Sequence, residues 1–146
     1  MEKAMIRVRT LLPGEDQFIE LTTKGEMSPL GEELVIRYEE SELTGMENTT
    51  TTITITMAPQ KVIIERSGSF ATQLEFVPHA DLPCLYHTPY GTLQMVTQTK
   101  AIDFTREGLL WNLKLRYAMV IEGDPQSETR MEIDVWDEAG EGAPVS

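Results

Sequence analysis

Cysteine is almost missing from this chain: Cys84 stands alone among 146 residues. One thiol cannot close an intramolecular disulfide, so the fold must rest on burial and backbone pairing, and a reducing cytoplasm is the expected compartment. Histidine is scarce too, limited to His79 and His87. No apolar run approaches the roughly 18 residues of a membrane-spanning helix. The opening Met1-Glu2-Lys3-Ala4-Met5-Ile6-Arg7 lacks the unbroken apolar stretch of a secretory signal. There is no Gly-rich phosphate loop, dinucleotide fingerprint, Gly-x-Ser-x-Gly elbow or His-Glu-x-x-His pair. The enzyme classes built on those motifs are set aside accordingly. A sustained helical period is absent, as is any repeat of fixed length.

Positive charge is also in deficit, with a net charge of -12. That balance argues against a nucleic-acid backbone or an anionic membrane surface as partner. The acidity is concentrated late. From Glu122 onward, eight acidic residues face one basic residue, Arg130, which reads as a solubilising end rather than a docking tail.

What the chain does contain is alternation. Leu109, Trp111, Leu113, Leu115, Tyr117, Met119 and Ile121 share one parity, so residues 109–121 read as a long strand with one dry face and an inward series beginning at Leu109. The same pattern predicts strands at 3–12, 17–23, 33–40, 49–57, 61–66, 70–77, 92–104 and 130–136. In the threonine-rich segment 49–57, Thr50, Thr52, Thr54 and Thr56 form one face, with Ile53, Ile55 and Met57 on the other. Residues 24–31, holding Gly25, Pro29 and Gly31, read as a loop, and 78–85, with Pro78 and Pro83, as irregular. The stretch 86–91 reads as a strand end entering a tight turn. Segments 92–104 and 109–121, joined through Gly108, form the strongest hairpin. Such strand content suits an all-β, antiparallel up-and-down barrel of eight or more strands, which removes exposed edges. A two-sheet sandwich is the alternative. The barrel is expected over residues 1–136, with 137–146 an acidic, flexible tail.

Chemistry-bearing residues are few. His79, Asp81, Cys84 and His87 lie within nine residues, but their spacing matches no common zinc pattern and Pro83 restricts the segment. Cys84 and His87 could form a nucleophile–base pair, yet no third group or oxyanion hole is visible. No catalytic residue, metal or cofactor is assigned, and the balance leans away from an enzyme. Parity offers a better lead. Glu40 follows Leu34, Ile36 and Tyr38 inward; Arg66 follows Val62 and Ile64; Thr97 and Thr99 follow Leu93 and Met95; Tyr117 lies in the 109–121 series. Tyr38, Glu40, Arg66, Thr97, Thr99 and Tyr117 are therefore the candidate ligand-binding set, since buried polar groups need partners. The alternative is that Glu40 and Arg66 end their strands and reach water.

These residues also carry a resemblance. Tyr38-Glu39-Glu40, Gly45, the threonines of 50–56, Arg66-Ser67-Gly68, Thr88-Pro89-Tyr90-Gly91, Thr97-x-Thr99 and Leu115-x-Tyr117, in that order and spacing, resemble the YwiB-like family of uncharacterised bacterial proteins. The likeness runs from Ile6 to Val135. It implies a calycin, lipocalin-like barrel, and brings no activity, catalytic residue or ligand with it. The Gly-x-Trp signature of true lipocalins is missing. So is the Arg-x-Tyr pair of fatty-acid-binding proteins: in Arg37-Tyr38 and Arg116-Tyr117 the two side chains are adjacent and point to opposite faces. The sequence thus leads to a cytoplasmic binding module holding a small, partly apolar molecule. The rival is a barrel filled by side chains that meets a protein partner through its outer surface. Oligomeric state is left open.

Overall fold

The computed structural model describes residues 1–31, 33–41 and 44–144. Eleven strands follow one another: β1 (Glu2–Leu11), β2 (Ile19–Leu30), β3 (Glu33–Glu39), β4 (Thr49–Met57), β5 (Gln60–Gly68), β6 (Ala71–Phe76), β7 (Asp81–Thr88), β8 (Gly91–Glu107), β9 (Leu110–Ile121), the two-residue β10 (Asp124–Pro125) and β11 (Thr129–Asp137). From β1 to β9 each strand pairs antiparallel with the next; β11 then joins β9 to β1. Among the described residues, ten strands close into an antiparallel barrel, and β10 is an extra strand on the end of β9. Closure satisfies the backbone groups that an open sheet would leave at its edges.

Parity decides which side chains are dry. Ile6, Leu34, Ile36, Ile53, Ile55, Val62, Ile64, Phe76, Leu113, Leu115, Ile133 and Val135 are all but fully buried, and each sits on the inward parity of its strand. Burying one such side chain is worth roughly 1.5–3 kcal/mol. The hairpin forms as expected, with 12 paired positions between β8 and β9. One irregularity changes its reading. A register shift between Thr99 and Ala101 leaves Lys100 unpaired, so the inward parity of β8 moves from Met95, Thr97 and Thr99 to Ile102 and Phe104. A β-bulge has this effect because it adds one residue to one strand only.

Three sequence expectations need correction. Residues 24–31 are not a loop, because β2 runs through Gly25 and Pro29 to Leu30. Gly25 marks a close backbone approach: a Cβ there would lie 2.4 Å from the Arg37 carbonyl oxygen and 2.6 Å from Ile6 Cδ1. Most of 78–85 is likewise regular, since β7 pairs with β8 from Asp81 onward. Leu109 does not face inward; it sits in the β8–β9 turn, exposed, and the inward series starts at Trp111.

The ladder has one thin seam. β6 and β7 pair only at Ala71–His87 and Thr72–Tyr86. Pro83, which has no N–H to donate, lies in the part of β7 that leaves β6 unpaired. Buried hydroxyls bridge the gap: Thr72 Oγ1 donates to the Leu85 carbonyl at 2.9 Å, and Thr97 Oγ1 to the Glu75 carbonyl at 2.7 Å.

The outer wall carries its own polar network. Asp134, buried on that face, accepts from Arg7 Nε at 3.1 Å, Arg7 Nη2 at 2.8 Å and Asn112 Nδ2 at 2.7 Å. Arg9 pairs with Glu132 beside it. The charge of Asp134 is tolerated because three donors replace its water.

Trp111 is the largest anchor of β9, stacked on Phe104 with ring centroids 5.5 Å apart. Trp111→Ala is expected to cost about 3–5 kcal/mol in a urea melt, as lost burial plus a cavity. Lys114→Ala, on the exposed parity of the same strand, should change stability by less than about 0.5 kcal/mol.

Candidate binding site in the barrel interior

Inward polar residues form a belt, set by strand register. On one wall Tyr38 of β3 pairs with Thr51 of β4, Thr51 with Arg66 of β5, Arg66 with Thr72 of β6, and Thr72 with Tyr86 of β7. The sequence places one inward polar side chain on each of five successive strands, and registration lines them up. A second row comprises Thr99 of β8, Tyr117 of β9 and Thr129 of β11. Arg66 links the two rows, because its charge acts on both the Tyr38 and Tyr117 phenols.

Glu40, just past β3, is buried and fully engaged. Thr51 Oγ1 donates to its Oε1 at 2.6 Å and Thr44 Oγ1 to its Oε2 at 2.9 Å. Tyr38 and Tyr117 are 6% and 7% exposed. Burial is the main force pushing the Tyr38 phenol far above its ordinary range; the neighbouring Glu40 carboxylate adds to it, while Arg66 works against it. Burial also raises Tyr117, again opposed by Arg66. The Tyr117 ring packs on Phe76 at 4.7 Å, joining the polar belt to the apolar core.

Arg66 is half-buried, and its Nε is buried without a hydrogen-bond partner; Thr99 Oγ1 is in the same condition. Thr99 is the cross-strand partner of Tyr117, and the charge of Arg66 acts on the Tyr117 phenol. A groove of about 560 Å³ runs over the β5–β7 wall past Glu65, Arg66, Thr72, Gln73, Cys84 and Leu85. It gives the guanidinium a route to solvent. Gly68 shapes this end of β5: its φ is 127°, and a Cβ there would lie 2.1 Å from the Asn48 carbonyl oxygen.

The six residues chosen from parity therefore have different fates. Tyr38, Glu40, Arg66 and Tyr117 come together electrostatically, and Thr99 joins them by register. Thr97 is buried too, but its hydroxyl is engaged at the seam. Four further members, Thr51, Thr72, Tyr86 and Thr129, were not singled out. Thr51 shares parity with Ile53 and Ile55, and Thr72 with Leu74 and Phe76, so alternation alone could have found those two. Adjacent arginines do point away, as parity required: Arg37 and Arg116 are exposed while Tyr38 and Tyr117 are buried. The interior arginine comes from β5 instead.

The other motifs are dispersed. On β7, Asp81 and His87 take the exposed parity and Cys84 the opposite one. Among the described residues no three His, Cys, Asp or Glu side chains converge as a metal-binding group. Burial raises the Cys84 thiol pKa, which disfavours the thiolate. His87 Nδ1 lies 3.0 Å from Thr92 Oγ1.

A closed antiparallel barrel with an interior polar belt defines the class, and the comparisons define the family. The chain belongs to the family described as domain of unknown function DUF1934, whose model matches residues 6–133. It is similar in fold to the crystal structure of the ywiB protein from Bacillus subtilis: TM-score 0.76, 19% identity, covering 93% of this chain and 92% of that one. No curated protein matches.

The tyrosines give a pH prediction. Below pH about 10, folded and unfolded chains both keep these protons, so the two phenols contribute no pH dependence. Above that, the unfolded phenols ionise while Tyr38 and Tyr117 resist, and stability falls as pH rises toward their raised folded values. Urea midpoints measured between pH 8 and about 11 should fall with pH for the native chain, and less steeply for Tyr38→Phe.

Proposed function

We propose that this chain is a cytoplasmic binding module with a calycin-like barrel, whose polar belt holds a small, partly apolar molecule carrying an anionic group. The observation that carries the reading is Arg66: a guanidinium seated among inward tyrosines, with a buried Nε that has no acceptor. An unpartnered buried donor is costly, and a ligand carboxylate would remove that cost. Thr99 Oγ1, likewise buried without a partner, offers a second polar group in the same interior. Phe76 and Leu115 supply apolar surface on the core side, and the groove over β5–β7 supports entry from that wall. The lone cysteine supports the cytoplasmic assignment.

The side-chain-filled alternative has its own support in the tightly buried aliphatic set of the other interior positions. Arg66→Met separates the two. In the ligand-free protein it should raise stability by about 1 kcal/mol, because it removes an unsatisfied donor. Titration with decanoate, followed by amide chemical shifts, should perturb Tyr117 and Thr99 in the native chain and not in the variant; decanol serves as the uncharged control. An Arg66→Met chain that is less stable, together with no response to decanoate in the native chain, would sink the reading in favour of a filled barrel.

A further inference from the structure

A second polar cluster lies on the outside of the barrel, unrelated to the interior belt. Arg116 of β9 and Arg130 of β11 are direct cross-strand partners on the exposed face. Like charges placed opposite each other repel. Lys100 is added to them by the β8 bulge, which leaves it outside the ladder. One carboxylate serves all three cations: Glu128 lies 3.1 Å from Arg130, 3.5 Å from Arg116 and 3.8 Å from Lys100. The four side chains keep a net charge of +2 on a chain whose net charge is -12.

Beside this cluster is a groove of about 450 Å³ whose apolar side chains are Phe18 and Ala101, with Arg116 and Arg130 on its wall; Leu115 and Met131 back it from strands, their own side chains packed into the core. Phe18 is 53% exposed, Leu12 on the same β1–β2 connection 43%, and Ile19 at the start of β2 60%. Lys114 and Asp103 also line the groove, but they are cross-strand partners, and Glu132 faces Lys114 from β11. The charged residues lining the groove therefore sum to +1, three cations against two carboxylates, and two of the cations are the adjacent Arg116 and Arg130.

From this juxtaposition we infer that the β8–β9–β11 outer wall docks an acidic peptide segment of a partner protein, one carrying an apolar side chain next to its carboxylates. Charge selects the occupant. An acidic segment is repelled by most of this surface and attracted here, which fixes where and in which register it lands. Arginine forks suit carboxylates, and two of them share one poorly sufficient counter-ion. Glu128 acts as a resident stand-in that the incoming carboxylates displace. The exposed Phe18, Leu12 and Ile19 provide the apolar contact that separates a docking site from a mere basic spot.

The test uses the full chain and a fluorescein-labelled octapeptide containing two adjacent acidic residues followed by phenylalanine, read by fluorescence anisotropy. Binding should weaken with salt, and weaken at least about tenfold when Arg116→Gln and Arg130→Gln are combined. Glu128→Gln should strengthen it about threefold or more, because the competing carboxylate is gone. Glu2→Gln, an equal change of charge on β1, should leave it unchanged. Circular dichroism of each variant confirms that the fold persists; if the double variant unfolds, Glu128→Gln against Glu2→Gln still decides the matter. The inference is overturned if the peptide does not bind, or if its amide-neutralised or phenylalanine-free forms bind equally well. It is also overturned if Glu128→Gln behaves like Glu2→Gln, or if vesicles of anionic lipid bind this wall in the peptide's place.

Discussion

The whole molecule depends on β9 pairing on both sides at once. It meets β8 along nearly its entire length and β11 over seven positions, and that double engagement turns a meander into a closed wall. Closure then forces every strand to send one parity inward. The apolar core, the interior belt and the outer ion networks all follow from that constraint. They are three readings of the same alternation on a wall with two sides.

Each face holds an arginine whose Nε is buried without a partner, Arg9 outside and Arg66 inside, but the acids around them are housed differently. Outside, Asp134 is buried yet receives three donated hydrogen bonds, so its ionised form is well housed. Inside, Glu40 is matched by two threonine hydroxyls, but Arg66 is left with an orphan donor. A barrel selected only for stability would replace such a group with an aliphatic side chain at little loss. The contrast between a satisfied acid and an unsatisfied base in the same belt is what makes the interior read as a site rather than as packing.

Alternation along the sequence exposed most of the strands because each has one dry face and a period of two. It misread residues 24–31 because Gly25 and Pro29 usually signal a break; here the glycine is demanded by the approach of the Arg37 carbonyl, and the proline sits opposite Leu34. It misplaced Leu109 because a turn residue can share a strand's parity by chance. The membership of Tyr38, Glu40, Arg66 and Tyr117 in one interior cluster was legible in part, since parity tells in from out. Their mutual arrangement was not, because it depends on register between strands far apart in the chain. The cluster around Glu128 was hidden for the same reason: its members come from β8, β9, β11 and the loop before β11.

The thin seam between β6 and β7 has a kinetic meaning. Backbone amides are released to solvent where the fewest ladder bonds must break together, and here only two registered pairs and two threonine side-chain bonds hold neighbouring walls. Breathing of this barrel therefore starts beside Arg66. Amide hydrogens of Gln73, Leu74 and Leu85 are expected to exchange with deuterium ahead of those in the β8–β9 ladder, tracing a ring of staves with one slack joint.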